Sequence, residues 1–252
     1  MITRLNDMNA SPQLLASAEG LYETFAPYPL PGNTNPCPCC HNEKHDARLR
    51  SKPLRSLSPE DLQDYASDAI LVWGDDKVFK HFLPRLFELF VTVPNPSRHL
   101  TEPEILFSKL RHAEWHTWPA KEQAAVRDFL HCLWSDVLRY DFRYDNDFEE
   151  TESCICSIAQ AEDDLSPYFD QWIEDETLEA CLTLSGLLLQ SAVVLASNAG
   201  RNSFWDGRDQ QYEHLKKWVH SAAVAGKLES AASRWADAPE REELLSARSI
   251  LG

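Results

Sequence analysis

The chain has 252 residues, of which 43% are hydrophobic and 25% are charged, a composition typical of a folded globular protein. Its formal net charge of -16 disfavours binding to nucleic acid or anionic lipid, because an acidic surface repels phosphate groups, and it favours a basic partner. No secretory signal is visible, and the longest apolar stretch, residues 182–196, is too short and too polar to span a membrane, so we expect a cytoplasmic protein.

Residues 26–57 are rich in proline and cysteine and predict a compact, irregular N-terminal arm. Within it, Cys37 and Cys40 have the C-x-x-C spacing that lets two thiolates bind one metal ion, and Cys39 lies between them. One interpretation is a zinc ion, structural rather than catalytic, held by Cys37, Cys39, Cys40 and His81, with His45 as the substitute for His81. Buried, unligated thiols are the alternative, since seven cysteines in a chain without an export signal disfavour a disulfide framework.

Two helices are predicted directly after the arm. Ser58 and Pro59 have the order of a helix N-cap and first helical residue, and apolar residues with helical spacing continue up to Gly74, which we expect to cap the C-terminus. Residues 75–93 predict the next helix. Because a proline removes one backbone hydrogen bond, Pro84 is expected to kink or break this helix near residues 80–83.

The middle of the chain predicts two more helices and one histidine pair. Thr101 and Glu104 have the spacing of a capping box, which would open a helix reaching Trp115, and a further helix is expected after Pro119. His112 and His116 have the i, i+4 spacing that can bind a metal, but their order around Glu114 is wrong for a zinc protease. Surface histidines that complement the helix dipole are the favoured interpretation.

The acidic residues are clustered at 141–152, 161–165 and 172–180. Such runs are solvated loops and helix ends in most proteins and docking surfaces in some, and acidity that serves only solubility is the alternative for the whole surface. Cys154 and Cys156 form a C-x-C pair within this region, which leaves a bipartite metal site as a further alternative.

The remaining sequence predicts helices at 178–197, 209–225, 227–236 and 240–250, and Phe204, Trp205 and Asp206 are expected to fill a junction between helices. Hairpin signals between alternating apolar runs are absent, so the predicted fold class is all-α. We expect an irregular helical bundle or a HEAT-like array of antiparallel helix hairpins. The prediction places residues 1–252 in a single helical domain that carries the arm, with a sub-boundary near 141–165 as the alternative.

Several segments resemble a broad family of bacterial all-helical proteins that has no assigned activity. They are the CPCC run at 37–40, KPLRSL at 52–57, Asp61-Leu62 with Tyr65-Ala66, Trp73-Gly74-Asp75, HFLPRL at 81–86, and Trp115 with Trp118-Pro119 and Glu122. The resemblance is concentrated in residues 35–135. It implies that the arm and the His81 helix belong to one unit, in which His81 shares a site with Cys37, Cys39 and Cys40.

The favoured function is that of a non-enzymatic interaction protein, such as an acidic inhibitor of the immunity type that neutralises a basic toxin. The acidic surface, the aromatic content and the helical pattern support it, and neither a glycine-rich phosphate loop nor a G-x-S-x-G motif is present. The alternative is a zinc-dependent enzyme that uses the cysteine-rich arm, where three protein ligands would leave an open position for water.

Overall fold

A computed structural model of the chain describes residues 10–32, 34, 37, 43–94, 96–139, 149–197 and 201–252, with side chains described at all of these except 43, 45, 149, 150 and 191–197. Within these ranges the secondary structure is helical, apart from one isolated bridge between Ala69 and Trp73. The all-α prediction is therefore confirmed. No helix of the described chain is both long and apolar enough to cross a bilayer.

The described residues group into two compact units, an N-terminal unit that ends at Leu133 and a C-terminal unit that runs from Trp134 to Gly252. The N-terminal unit contains α1 Pro12–Phe25, α2 Glu43–Arg50, α3 Pro59–Asp68, α4 Asp76–Thr92, α5 Pro96–His99, α6 Pro103–His112 and most of α7 Ala120–Arg139, with short 3-10 turns at Leu54–Ser56 and Trp115–Thr117. Its centre is α4, which packs along α1 and buries an aromatic face. The predicted single domain stays a prediction.

The C-terminal unit contains α8 Glu149–Ala161, α9 Ser166–Glu174, α10 Leu178–Ser197, α11 Asp209–Val219, α12 Ala222–Arg234 and α13 Arg241–Ile250, with a 3-10 turn at Ser203–Trp205. The apolar helix α10 packs against α13 and α12. Four aromatic rings also pack against one another in this unit, those of Trp134, Phe169, Trp172 and Trp218. Such rings contribute a large share of the buried apolar area of a unit this size.

The starts of α3 and α4 follow the capping rules. The hydroxyl of Ser58 accepts from the backbone N–H of Asp61, and the Asp61 carboxylate accepts from the backbone N–H of Ser58, so this capping box is complete. Asp75 caps α4 by accepting from the N–H groups of Lys77 and Val78. These local bonds satisfy donors that the first helical turn leaves without a backbone partner.

The end of α3 differs from its prediction. The helix ends at Asp68 rather than near Gly74, because Ile70 adopts a positive φ of 68° and the chain turns back on itself through Trp73. The turn buries the Trp73 indole. Gly74, with φ of 82°, leads into the N-cap of α4 instead of closing α3. A left-handed residue that is not glycine gives no signal in a propensity pattern.

Three further boundary predictions need correction. The break predicted near Pro84 is absent, since α4 continues from Asp76 to Thr92, and the alternative of a kink stays a prediction. The Thr101 capping box does not form: α6 starts with Glu102 as its N-cap, and Ser67 donates to the Thr101 hydroxyl instead. The break predicted at residue 226 occurs at Ser221, whose hydroxyl caps α12.

Candidate functional site

The predicted zinc ligands are only partly described. Cys37 is half-buried, and its backbone N–H donates to the Val72 carbonyl at 2.8 Å. Cys39 and Cys40 lie outside the described residues, as does the side chain of His45. Across the described ranges, no group of three His, Cys, Asp or Glu side chains could hold a metal ion. Zinc ligation by Cys37, Cys39, Cys40 and His81 therefore stays a prediction.

The described part of the arm is held in place by direct hydrogen bonds. The buried Thr34 hydroxyl donates to Asp46 at 2.8 Å and accepts from the Trp73 indole at 3.1 Å. Arg50 donates to Asp46 at 2.6 Å and to the Pro31 carbonyl at 2.7 Å. Buried and partly buried bonds of this kind order a proline-rich segment because proline has little conformational freedom to lose.

His81 lies on α4, where its ring faces the arm. Its Nδ1 is 2.8 Å from the Tyr28 carbonyl oxygen, and since a carbonyl only accepts, Nδ1 carries the proton and Nε2 has a free lone pair. Burial lowers the pKa of His81, the bond to Tyr28 raises it and the charge of Arg50 lowers it, with a net lowering that keeps the ring neutral near pH 7. This orientation suits an acceptor, and it is the one that metal-binding histidines also adopt.

A cavity of about 310 Å³ lies between the arm and α4. Its polar lining consists of Arg50, Lys52 and His81, and its apolar lining consists of four leucines and a proline, Leu30, Leu49, Pro53, Leu54 and Leu57. The volume is at the lower end of the ~300–1,000 Å³ range of small-molecule sites. The cavity is therefore a candidate binding site.

A buried ion pair lies between α4 and α7. Lys80 is 4% exposed and Glu122 is 7% exposed, and their Nζ and Oε2 atoms are 2.9 Å apart. The Tyr28 hydroxyl donates to the other oxygen of Glu122 at 2.6 Å, which raises the pKa of Tyr28. Lys80 also lies 4.3 Å from the centre of the Trp118 ring. Sequence reasoning missed this cluster, although a lysine inside the apolar run of α4 is the signal that could have found it.

The structure also describes the other residues that the sequence singled out, which are a histidine pair, a cysteine pair and a tryptophan. His112 ends α6 and His116 lies in the following 3-10 turn, because Glu114 adopts a positive φ of 50°, so the two histidines do not share one helix. Cys154 and Cys156 are buried on α8. Of the predicted junction residues 204–206, Trp205 is fully buried and donates to Glu152 at 2.8 Å, whereas Asp206 is exposed and pairs with Arg201.

Negative charge is concentrated in the C-terminal unit. Residues 134–252 contain 23 acidic and 10 basic residues, whereas residues 1–133 contain 17 acidic and 14 basic residues. Among the described basic residues of this unit, several form ion pairs within it: Arg139, Arg201, Arg208, Lys216 and Arg234. Each of these pairs takes up at least one carboxylate for one basic residue, and the unit still contains more acidic than basic residues.

Three carboxylates of this unit define what we call the acidic edge, Asp170, Glu174 and Glu179. Asp170 and Glu174 are one turn apart on α9, and Glu179 lies in the first turn of α10. All three are exposed, and none forms an ion pair with a residue that the structure describes. Exposed carboxylates in this arrangement produce a local negative potential that attracts cationic groups.

Comparisons of this chain with protein-family models, with curated proteins and with solved structures found no match. The candidate sites above consequently rest on the geometry and charge of this chain itself.

Proposed function

We propose that the protein binds a basic protein partner in the cytoplasm through its C-terminal unit, in the manner of an acidic inhibitor or immunity protein. The supporting observation is the separation of charge along the chain, with 23 acidic against 10 basic residues after position 133 and near balance before it. Acidity that served only solubility would have no reason to collect in one unit. Complementary charge speeds association and selects among partners.

The acidic edge is the docking surface in this proposal. Its carboxylates need no internal partner to be broken before they meet a cation, unlike Glu176, which already pairs with Arg234 at 2.9 Å. The C-terminal end of α9 is also fixed from inside the unit, since Lys227 donates to the Ile173 and Asp175 carbonyls. A fixed backbone lets the edge meet a partner without an added ordering cost.

The test compares two triple variants of equal net charge. The edge variant carries Asp170→Asn, Glu174→Gln and Glu179→Gln, and the control variant carries Glu23→Gln, Glu102→Gln and Asp128→Asn, all exposed residues of the N-terminal unit. Each protein is titrated with a synthetic lysine-rich helical peptide by calorimetry at low and physiological salt. Because exposed ion pairs contribute about 0.2–1 kcal/mol each, we expect the edge variant to bind roughly tenfold more weakly than the control.

The salt dependence completes the test. The affinity of the unchanged protein should fall as the Debye length shortens to about 8 Å near physiological ionic strength. An equal loss in both variants would show that only net charge matters, and it would overturn the docking role of the acidic edge.

A further inference from the structure

The turn that follows α3 presents apolar side chains to solvent. Ile70, Leu71 and Val72 are consecutive in this turn, and none of them is buried. Leu71 is 59% exposed, the highest value among the large hydrophobic residues that the structure describes. A single exposed leucine is ordinary, but a run of three apolar residues outside the core is avoided unless the run contacts something. We propose that residues 70–72, here called the Leu71 turn, dock against a basic amphipathic helix of a protein partner.

The backbone of the Leu71 turn is fixed by hydrogen bonds. The Asp68 carbonyl accepts from the N–H groups of Val72 and Trp73 at 2.9 and 3.1 Å, and the Ile70 N–H donates to the Trp73 carbonyl at 3.1 Å. The Trp73 side chain that ends the turn is buried. Because the backbone is already ordered, Leu71 meets a partner with little added cost in conformational entropy.

Ile70 adopts a strained conformation in this turn. Its φ of 68° lies in the left-handed region, where a β-branched side chain is rarely found. Glycine would adopt this φ without strain, but it would supply no apolar surface next to Leu71. Strained residues of this kind concentrate at sites that bind or switch. Contact with a partner gives a reason for an isoleucine at this position.

The chain around the Leu71 turn is acidic. Residues 64–76 contain aspartates at 64, 68, 75 and 76 and no lysine, arginine or histidine, and the nearest basic residue along the chain is Lys77. Asp75 and Asp76 are exposed at the start of α4. An apolar centre with an acidic rim is complementary to a leucine stripe flanked by lysines. The same turn of a second copy would bring like charges together, so the basic helix is the favoured occupant.

The test uses a synthetic helical peptide with a leucine stripe on one face and lysines on the others. Its counterpart carries glutamates in place of the lysines. Both peptides are titrated into the edge variant with labelled leucine methyl groups, so the result does not depend on docking at the acidic edge. We expect the lysine peptide to shift the Leu71 methyl resonances with saturation, and the glutamate peptide to leave them unshifted.

Three variants connect the binding to the apolar run. Leu71→Gln should weaken binding of the lysine peptide about tenfold, because the peptide then loses the burial of a leucine. Leu15→Gln is the matched control, since Leu15 is 43% exposed on α1 of the same unit, and the affinity should stay unchanged. Ile70→Gly should keep the fold, because glycine adopts the required φ, and should still weaken binding because apolar surface is lost.

A second pair of variants tests the acidic rim. Asp68→Asn with Asp76→Asn should weaken binding of the lysine peptide roughly fivefold, within the range expected for two exposed ion pairs. Glu23→Gln with Asp128→Asn removes the same charge from exposed positions elsewhere in the unit and should have a smaller effect.

Three results would overturn the proposal. Unshifted Leu71 methyl resonances at saturating lysine peptide would place the binding elsewhere on the protein. An equal loss of affinity in Leu71→Gln and Leu15→Gln would mean that the peptide recognises exposed apolar residues in general. Leu71 resonances that shift with protein concentration in the absence of peptide would assign the turn to contact with a second copy of the chain.

Discussion

Replacing Lys80 tests the buried ion pair on which the packing of α4 and α7 depends. Lys80→Met preserves the aliphatic stem that packs beside Trp118 but leaves the Glu122 carboxylate, 7% exposed, without its cation. Removing one partner of a buried pair costs about 3–5 kcal/mol, because the remaining charge is desolvated without compensation. The Tyr28 hydrogen bond to Glu122 recovers only part of this energy.

Native-state hydrogen exchange of the α4 amides is the assay, because it reports the opening free energy of the N-terminal unit without contributions from the other unit. A loss of about 3–5 kcal/mol corresponds to exchange that is faster by roughly two to three and a half orders of magnitude. The double variant Lys80→Met with Glu122→Gln removes both charges. We expect it to be more stable than either single variant, since an uncharged pair of similar size has no desolvated ion to compensate.

The reasoning would be refuted by either of two results. A loss below about 1 kcal/mol in Lys80→Met would mean that the pair behaves like an exposed salt bridge. A double variant no more stable than the single ones would mean that packing, rather than an uncompensated charge, accounts for the loss.

Three further predictions concern backbone strain, a buried donor and pH. A Cβ at Gly74, where φ is 82°, would lie 2.8 Å from the Val78 Cβ, so Gly74→Ala should lower the free energy of unfolding by about 1–3 kcal/mol in a thermal unfolding experiment. Gly20→Ala is the control: Gly20 lies on α1 with open space around it, and the change should be neutral or stabilising. Trp205→Phe removes the donor to Glu152 and should cost about 1–3 kcal/mol by hydrogen exchange of the α8 amides; exchange as slow as in the unchanged protein would contradict the structural role of this bond. Burial raises the pKa of Asp61, but the bonds from Lys52 and Ser58 outweigh burial and leave this pKa below its ordinary value. The Asp61 carboxylate therefore stabilises the folded state above about pH 4, and this stabilisation is lost as the pH falls through the lower folded pKa. Asp61→Asn should therefore flatten the acid side of the stability curve, and an unchanged acid limb would contradict that assignment.

Local signals predicted the start of α3 but not its end. Ser58 with Pro59 and Asp61 encodes its own capping bonds, so the start of α3 follows from neighbouring residues alone. The end of α3 depends on burying Trp73 and bonding it to Thr34, a residue far away in sequence, and this tertiary contact forces Ile70 into a left-handed conformation. Pro84 illustrates the same limit, since α4 continues through it.

The candidate sites were predictable only in part. The sequence placed His81 and the arm in one unit, and both line or border the same cavity. The role of Arg50 could not be foreseen, because its orientation depends on Asp46 and the Pro31 carbonyl, which surround it only after folding. The acidic runs indicated a negative surface, but which carboxylates stay unpaired depends on where Arg208 and Arg234 find their partners.

Mapping the binding of the lysine-rich peptide by amide NMR tests the central claim most directly. We expect the shifted resonances to cluster on α9 and the first turn of α10, around Asp170, Glu174 and Glu179, and to return to their free positions at high salt. Shifts that are spread over both units, or concentrated in residues before 134, would contradict docking at the acidic edge.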